Sequence, residues 1–560
     1  MERTCTQCSA VFEVTERDRK FLKKVSPVFG MTRYSFPEPE QCSVCREQRR
    51  ASQRNETNIF KRKCDATGND ILSLYPPGHT CTVYEDVYWN SDSWDPMDYG
   101  RDYHEDESFF EQFHELLMSI PRRAMHRDTA SVNSDYTTFG LNNRNCYMCC
   151  GCIEAEDCMH CHSVIQSKNC IDCLLSTGNE MLYQCIGCDD CYSLNYSLDC
   201  LNCKDSWFLH NCHDCTNCIG CKNLRHKEYH ILNAPVTKEQ FEAVQANLQT
   251  FTGLQRFKEK FTEWQRTIPT MYSHKHNTED CSGHYLENCQ SCHNCFDIIL
   301  GAQDCTHCQM CGWGGTDMMD CSRCGMQASS LYECMSVAGS QKVFFSISVN
   351  GSSDIYYCDQ MRGCEYCFGC AGLTNKSYCI FNKQYSKEEY EALLPVIIAK
   401  MVLDGEWGRW PGVEHNIFAY NLSVAFEELP MEKNAALQRG WQWHDYQKSA
   451  PTSDKVIPAD QLPERITDVP DDVLNWAIEC SATGRLFKII KKELAFYRQQ
   501  NITLPRLHPD ERQLHLRNQR NAHFLHSRPC DKCQAIVKSS YASEYPGLIY
   551  CEECYLKEVY

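Results

Sequence analysis

NCHDCTNCIGC, residues 211–221, sets a cysteine at every third position: Cys212, Cys215, Cys218 and Cys221. Thiols at that spacing admit three readings. They grip a metal, they pair as disulfides, or they fill a core as small apolar side chains. The choice decides the fold, because most of the chain's 43 cysteines lie in similar runs.

The runs fall in two blocks, 134–233 and 276–385. In the first, CxxC units start at 146, 158 and 170, then at 188, 200 and 212, a step of 12 residues with one longer jump. In the second, cysteines at 281, 292, 305, 321 and 334 step by 11 to 16. A regular step of about twelve residues, rich in Cys, Asn, Asp, Ser and Gly, predicts a β-solenoid whose turns stack into ladders. Asn145, Asn169, Asn202, Asn211 and Asn217 recur at the expected bends. Asn fits there because it tolerates a left-handed backbone and bonds its own main chain.

On this fold the middle thiols have several fates. Reduced cysteine is small, apolar and often fully buried, which suits core ladders. CxxC pairs are also ready chelates for zinc between rungs, and Cys212, Cys215, Cys218 and Cys221 are the candidate additional ligands. Iron–sulfur clusters are a third reading, since CxxCxxC recurs at 146/149/152, 185/188/191, 289/292/295, 305/308/311 and 364/367/370. Bacterial ferredoxins use CxxCxxCxxxC followed by Pro. Here the fourth spacing differs and Lys222 follows Cys221. Disulfides alone cannot pair an odd number of cysteines within one chain, and matter only in an oxidising particle.

The chain also duplicates itself, twice over. Residues 5–88 resemble residues 480–554. Phe12 and Phe21 match Phe487 and Phe496; Arg46 matches Arg512; Arg54-Asn55 matches Arg520-Asn521; Cys64-Asp65 matches Cys530-Asp531. The cysteines of the two copies are complementary. The first has Cys5, Cys8, Cys42 and Cys45 where the second has Cys480, Thr483, His508 and Glu511. The second has Cys530, Cys533, Cys551 and Cys554 where the first has Cys64, Thr67, Glu85 and Tyr88. An ancestral module with two metal sites, each copy keeping one, accounts for this. Inside these ends, CIGCKNLRHKEYHILNAPVTKEQFE (218–242) matches CFGCAGLTNKSYCIFNKQYSKEEYE (367–391). Each inner block ends in a predicted helix, with capping-box spacing at Thr237/Gln240 and Ser386/Glu389.

The expected fold is mainly β with helical insertions: a duplicated cysteine-rich β-solenoid flanked by two zinc-ribbon-like modules. The N-terminal module is 1–88. A connector, 89–133, carries the amphipathic helix FFEQFHELLMSIP (109–121), stopped by Pro121. The first cysteine-rich block with its helices is 134–266, and the second with its helix is 267–404. Residues 405–470, rich in Trp, Pro and Asp, form an irregular linker, and 471–560 is the C-terminal module. At 560 residues the chain is too long for one core. With 42% apolar residues it folds.

Two CxxC pairs in one module make a four-thiolate tetrahedral site. We therefore expect zinc at Cys5, Cys8, Cys42 and Cys45, and again at Cys530, Cys533, Cys551 and Cys554. A closed thiolate shell leaves no open position, so both ions are structural. CTQCSAVFEV with CSVCREQRR resembles the zinc-ribbon domains found in many bacterial proteins. More broadly, RNETNIFKRKCDATG, WDPMDYGRD, NKQYSKEEYE and IYCEECYLKEVY give the chain a resemblance to cysteine-rich zinc-ribbon and repeat proteins of small-genome uncultured bacteria, with relatives in large DNA viruses. That resemblance implies no activity. It implies that many middle cysteines need not be ligands, and that a virion or capsid-associated role would fit.

Catalytic signatures are missing: there is no GxSxG, HExxH, P-loop or GxGxxG. His160, His162, His210 and His213 lie within cysteine runs, either as substitute ligands or as packed histidines. REQRRASQRNETNIFKRK (46–63) sets Arg46, Arg49, Arg50 and Arg54 beside the first metal set, a nucleic-acid footprint. The other reading is a helix docked on the acidic remainder of a chain of net charge −18. That charge argues against a surface that coats nucleic acid. The N-terminus MERTCTQCSA lacks a signal-peptide core, and the longest apolar run, 393–403, is too short for a bilayer. The expectation is a non-enzymatic zinc-binding scaffold, cytoplasmic or carried in a virion, that makes protein–protein contacts in a larger assembly. A nucleic-acid-binding protein and an iron–sulfur redox protein are the alternatives.

Overall fold

The backbone of the first block moves in units of three. Every third residue from Phe139 to Leu232 adopts a left-handed conformation, with φ between 46° and 71°. All five recurring asparagines are among them. So are Met148, Leu175, Tyr196 and Phe208, for which the conformation is costly and must be imposed by the surroundings. From Phe139 to Asn223 the next residue after each left-handed one points inward. Cys146, Cys149, Cys152, Ala155, Cys158, Cys161 and Val164 follow one another in this way, all buried in one cluster.

After four such units the chain lies beside itself. Parallel pairs join Cys150 to His162, His162 to Leu174, Tyr192 to Lys204 and Lys204 to Thr216, always 12 residues apart. Bridges from Glu156 to Lys168, Lys168 to Glu180 and Glu180 to Tyr192 keep the step. The second block builds an 11-stranded sheet. Its parallel step is 13 residues between Ala302 and Gly315 and between Thr316 and Ser329. It is 12 from Ser329 through Gln341, Ser353 and Glu365 to Ser377.

This geometry answers the question posed by NCHDCTNCIGC. Cys212, Cys215, Cys218 and Cys221 take four consecutive inward places, each at most 1% exposed. Neighbouring inward side chains point from successive sides of the turn. No three of these four sulfurs lie within 4.8 Å of one another, so the structure does not assemble them as an additional metal site. Each thiol donates instead to the carbonyl two residues back. The same bond is made by every cysteine of the two blocks except Cys150. Where serine or asparagine takes an inward place, its oxygen accepts the amide twelve residues on: Ser176 from Cys188, Asn179 from Cys191, Ser206 from Cys218. The interior asks for small side chains that can hydrogen-bond to main chain, and reduced cysteine is one of several that qualify.

The computed structural model describes residues 2–445 and 450–559. It is mixed rather than mainly β, with 24% helix and 29% strand. The expected helices form at Phe109–Ser119, Lys238–Leu248 and Lys387–Leu403. Capping boxes close the last two at Thr237/Gln240 and Ser386/Glu389. Much of 405–470 is irregular, broken by the short helices Val424–Glu428 and Lys433–Gln438; residues 446–449 of that segment lie outside the described residues. No helix among the described residues is long and apolar enough to cross a membrane.

The outer faces of the blocks carry the rest of the core. Phe344 stacks on Tyr356 at 5.1 Å and Tyr356 on Phe368 at 5.9 Å. Phe36 and Trp407 pack over this column. The two ends of the chain dock by matching devices. Arg46 and Arg50, on the helix Ser43–Ala51, reach Asp320 and Glu333 in the second block. Arg512, on the helix Pro509–Arg517, reaches Asp172 in the first block at 2.7 Å.

Candidate metal centres

One backbone turn occurs four times. At Cys5, Cys64, Cys480 and Cys530 the cysteine amide donates five residues ahead: to Ala10, Asn69, Arg485 and Ala535 at 2.8–2.9 Å. The cysteine carbonyl accepts from the residue four ahead: Ser9, Gly68, Gly484 and Gln534. Those four residues all have positive φ. The amide just after the cysteine is tied to a distant strand or loop: Thr6 to Glu40, Asp65 to Val83, Ser481 to Arg506, Asp531 to Ile549. Such a turn holds two side chains three residues apart on one side, ready for a shared ion.

Two of the four turns have a complete ligand set. Cys5, Cys8, Cys42 and Cys45 converge, as do Cys530, Cys533, Cys551 and Cys554, with the sulfurs of each set within 4.8 Å of one another. Across the pairs, Cys8 and Cys42 approach to 3.7 Å, and so do Cys533 and Cys551. Cys42 caps the helix Ser43–Ala51 and Cys45 lies in its first turn; Cys551 precedes the helix Glu552–Val559 and Cys554 lies in its first turn. The partial positive charge of a helix N-terminus favours thiolate there. Hydrogen bonding, chiefly from the Cys45 thiol, pulls Cys42 down to about 5. Four thiolates in a tetrahedral cluster suit a soft or borderline divalent ion and close its shell.

The other two turns are closed by hydrogen bonds. The Cys64 sulfur accepts the Glu85 amide at 3.4 Å, and Thr67 donates to the Glu85 carboxylate at 2.6 Å. The Cys480 sulfur accepts the His508 amide at 3.2 Å. Positions that carry ligands in one copy thus carry a hydrogen-bonded clasp in the other.

The arginines offered as nucleic-acid contacts do not form an open basic face. Arg46, Arg50 and Arg54 are each at most 5% exposed. Arg46 pairs with Asp320 at 2.9 Å, Arg49 with Glu333 at 2.7 Å, Arg50 with Glu333 at 2.9 Å, and Arg54 with Glu56 at 3.0 Å. The docked-helix reading describes Arg46, Arg49 and Arg50; Arg54 lies past the helix and pairs with Glu56, two residues on. Burial outweighs the guanidiniums at Asp320 and pushes its carboxyl up to about 7. Burial also opposes charge at Glu333, but Arg49, Arg50 and Arg46 win there and hold it below its ordinary value.

The histidines in the cysteine runs mostly serve packing. His160 faces Glu493 at 3.5 Å, and His210 bonds Gln265 at 3.2 Å. Burial lowers His213 to about 4. Only His162 enters a group able to hold an ion. A histidine outside the runs is clamped harder. His523 lies between Glu47 at 2.6 Å and Asp297 at 3.1 Å. Burial alone would lower it, but the carboxylates, Glu47 foremost, push it up to about 10. Its unfolded value is near 6.5, so the contact stabilises fully below pH 6.5 and fades as pH rises through 10. In urea denaturation, the advantage of the wild type over His523→Gln is expected to shrink by on the order of a few kcal/mol across that window. An advantage that stays flat would contradict the clamp.

No family model matches the chain, and no curated protein matches it. Among solved structures, a chain named "putative acetyltransferase" from Desulfovibrio desulfuricans G20 is similar at 8% identity. The match covers 47% of this chain and 71% of that one, with a TM-score of 0.09. That likeness carries no argument about fold or activity.

Proposed function

We propose that the protein is a non-enzymatic scaffold, fastened by structural zinc at its two ends, that offers its cysteine-rich blocks to protein partners in a larger assembly. We read the blocks as β-solenoids, whose stacked turns make long rigid faces. The observation that carries the reading is the inward use of both the thiols and the basic side chains. The block thiols bond their own main chain, and Arg46, Arg49, Arg50 and Arg54 are consumed by internal carboxylates. The chemistry left at the surface is acidic, in keeping with the net charge of −18. A particle, including a virion, is the setting that suits such a body.

Fluorescence anisotropy with single-stranded and duplex oligonucleotides at low salt tests this against the nucleic-acid alternative. The scaffold reading expects no salt-dependent binding. Binding that is lost on replacing Arg49 would reverse the order of the two. A brown, iron-containing purified chain would replace both with the redox reading.

A further inference from the structure

Cys150 is out of phase. Inward places in the first block run 146, 149, 152 and onward by threes, and Cys150 falls one residue past an inward place. It is the one block cysteine that does not donate to the carbonyl two residues back. Its sulfur instead faces the Glu56 carboxylate at 3.6 Å. The dipeptide Cys149-Cys150 is the sequence mark of this break.

We propose that Glu56, Cys150 and His162 form a third metal centre, which takes a zinc-like divalent ion and staples the N-terminal module to the first block. Three neighbouring ladder positions build it. Thr138, Cys150 and His162 are successive parallel partners. The Thr138 hydroxyl donates to the Glu56 carbonyl at 2.6 Å and pins that residue over the ladder. Cys150 and His162 then present their side chains to it. The three ligand atoms lie within 4.8 Å of one another. Glu56, Cys150 and His162 are 1%, 4% and 5% exposed.

One buried atom of the group, His162 Nε2, has no hydrogen-bond partner; Glu56 Oε1 is held in an ion pair by Arg54 Nε at 3.0 Å. The other imidazole nitrogen, Nδ1, is engaged by Ser163 Oγ at 3.3 Å, which leaves Nε2 facing Glu56 Oε2 at 3.8 Å. An unsatisfied buried nitrogen is costly, and an ion bound to it removes the cost. Sulfur and imidazole ligands select zinc-like ions over magnesium or calcium. Binding releases the Cys150 thiol proton to water. The thiolate and carboxylate together balance the ion's two charges. Arg54 and Arg323 flank Glu56, at 3.0 and 3.5 Å. Arg323 is also neutralised by Glu428 at 3.1 Å, and Arg54 lies over the Phe139 ring.

The test is metal content per full-length chain, by native mass spectrometry after zinc loading. Wild type is expected to hold three ions, and Cys150→Ser and His162→Gln two each. The exposed ligands Cys8 and Cys533 mark the terminal sets, and Cys8→Ser and Cys533→Ser should each remove one of the other two. A failure of the terminal sets is thereby told apart from a failure of this site. Cadmium-113 NMR on loaded wild type needs no folded variant. It should give a third resonance upfield of the two four-sulfur signals. A wild type with two ions, both lost with Cys8→Ser and Cys533→Ser, overturns the proposal. So does a third ion that survives both site variants, or a cadmium spectrum with four-sulfur signals alone.

Discussion

Chelating the metal from the terminal four-cysteine sets is expected to melt both end modules while the cysteine-rich blocks stay folded. Each module is small, and a bound ion would join its elements. For zinc modules of this size the binding free energy is roughly 10–16 kcal/mol and is in effect folding free energy. The blocks are held by parallel ladders and by thiols that already have partners. Limited proteolysis reads the difference. With chelator, or in Cys45→Ser with Cys530→Ser, cleavage should concentrate within 1–88 and 471–560, with a core spanning both blocks surviving. The turns at Cys64 and Cys480 belong to the same modules, so their hydrogen-bonded clasps should open with them. Ends that resist protease after complete metal removal would rule out a structural role for the ions.

Removing one guanidinium from the docking cluster should be nearly as damaging. Arg50 is fully buried beside Glu333 and Asp320. Arg50→Met keeps much of the volume and leaves two buried carboxylates short of a partner. Breaking a buried pair in this way costs about 3–5 kcal/mol. The deficit should narrow in acid, because a carboxyl stranded in a poorly solvated site has a raised pKa and is neutral once protonated. An exposed pair gives the contrast. Arg485 and Asp510 are each 42% exposed, and Arg485→Ala should cost no more than about 1 kcal/mol. Urea denaturation of the two variants from pH 7 to pH 5 measures both effects. Equal, small losses would mean that the helix Ser43–Ala51 is not fastened by these charges.

Local chemistry was legible in the sequence. The CxxC pairs announced the two converging sets. The capping boxes announced the helices after each block, and the twelve-residue step announced the parallel register. Asn145, Asn169, Asn202, Asn211 and Asn217 sit in the left-handed backbone expected of them. What asparagine did not reveal is that Leu175 and Phe208 share that conformation, because there the ladder overrides residue preference. The docking of the ends was hidden for another reason. A basic run looks the same whether it meets phosphate or a carboxylate hundreds of residues away. Cys150 was hidden among its neighbours until the three-residue phase made it the exception.

The contact between Arg50 and Glu333 spans 283 positions of the chain. At about 5–20 residues per second, a ribosome needs roughly 15–60 s to make that interval. For most of that time the helix Ser43–Ala51 would be outside the exit tunnel without its acidic partners. The same arginines that are sealed in the finished molecule are then a bare cationic segment beside ribosomal and messenger RNA. The mature fold would then hide a cationic segment that the nascent chain exposes, and an early-filled metal site would keep the helix formed until its carboxylates arrive.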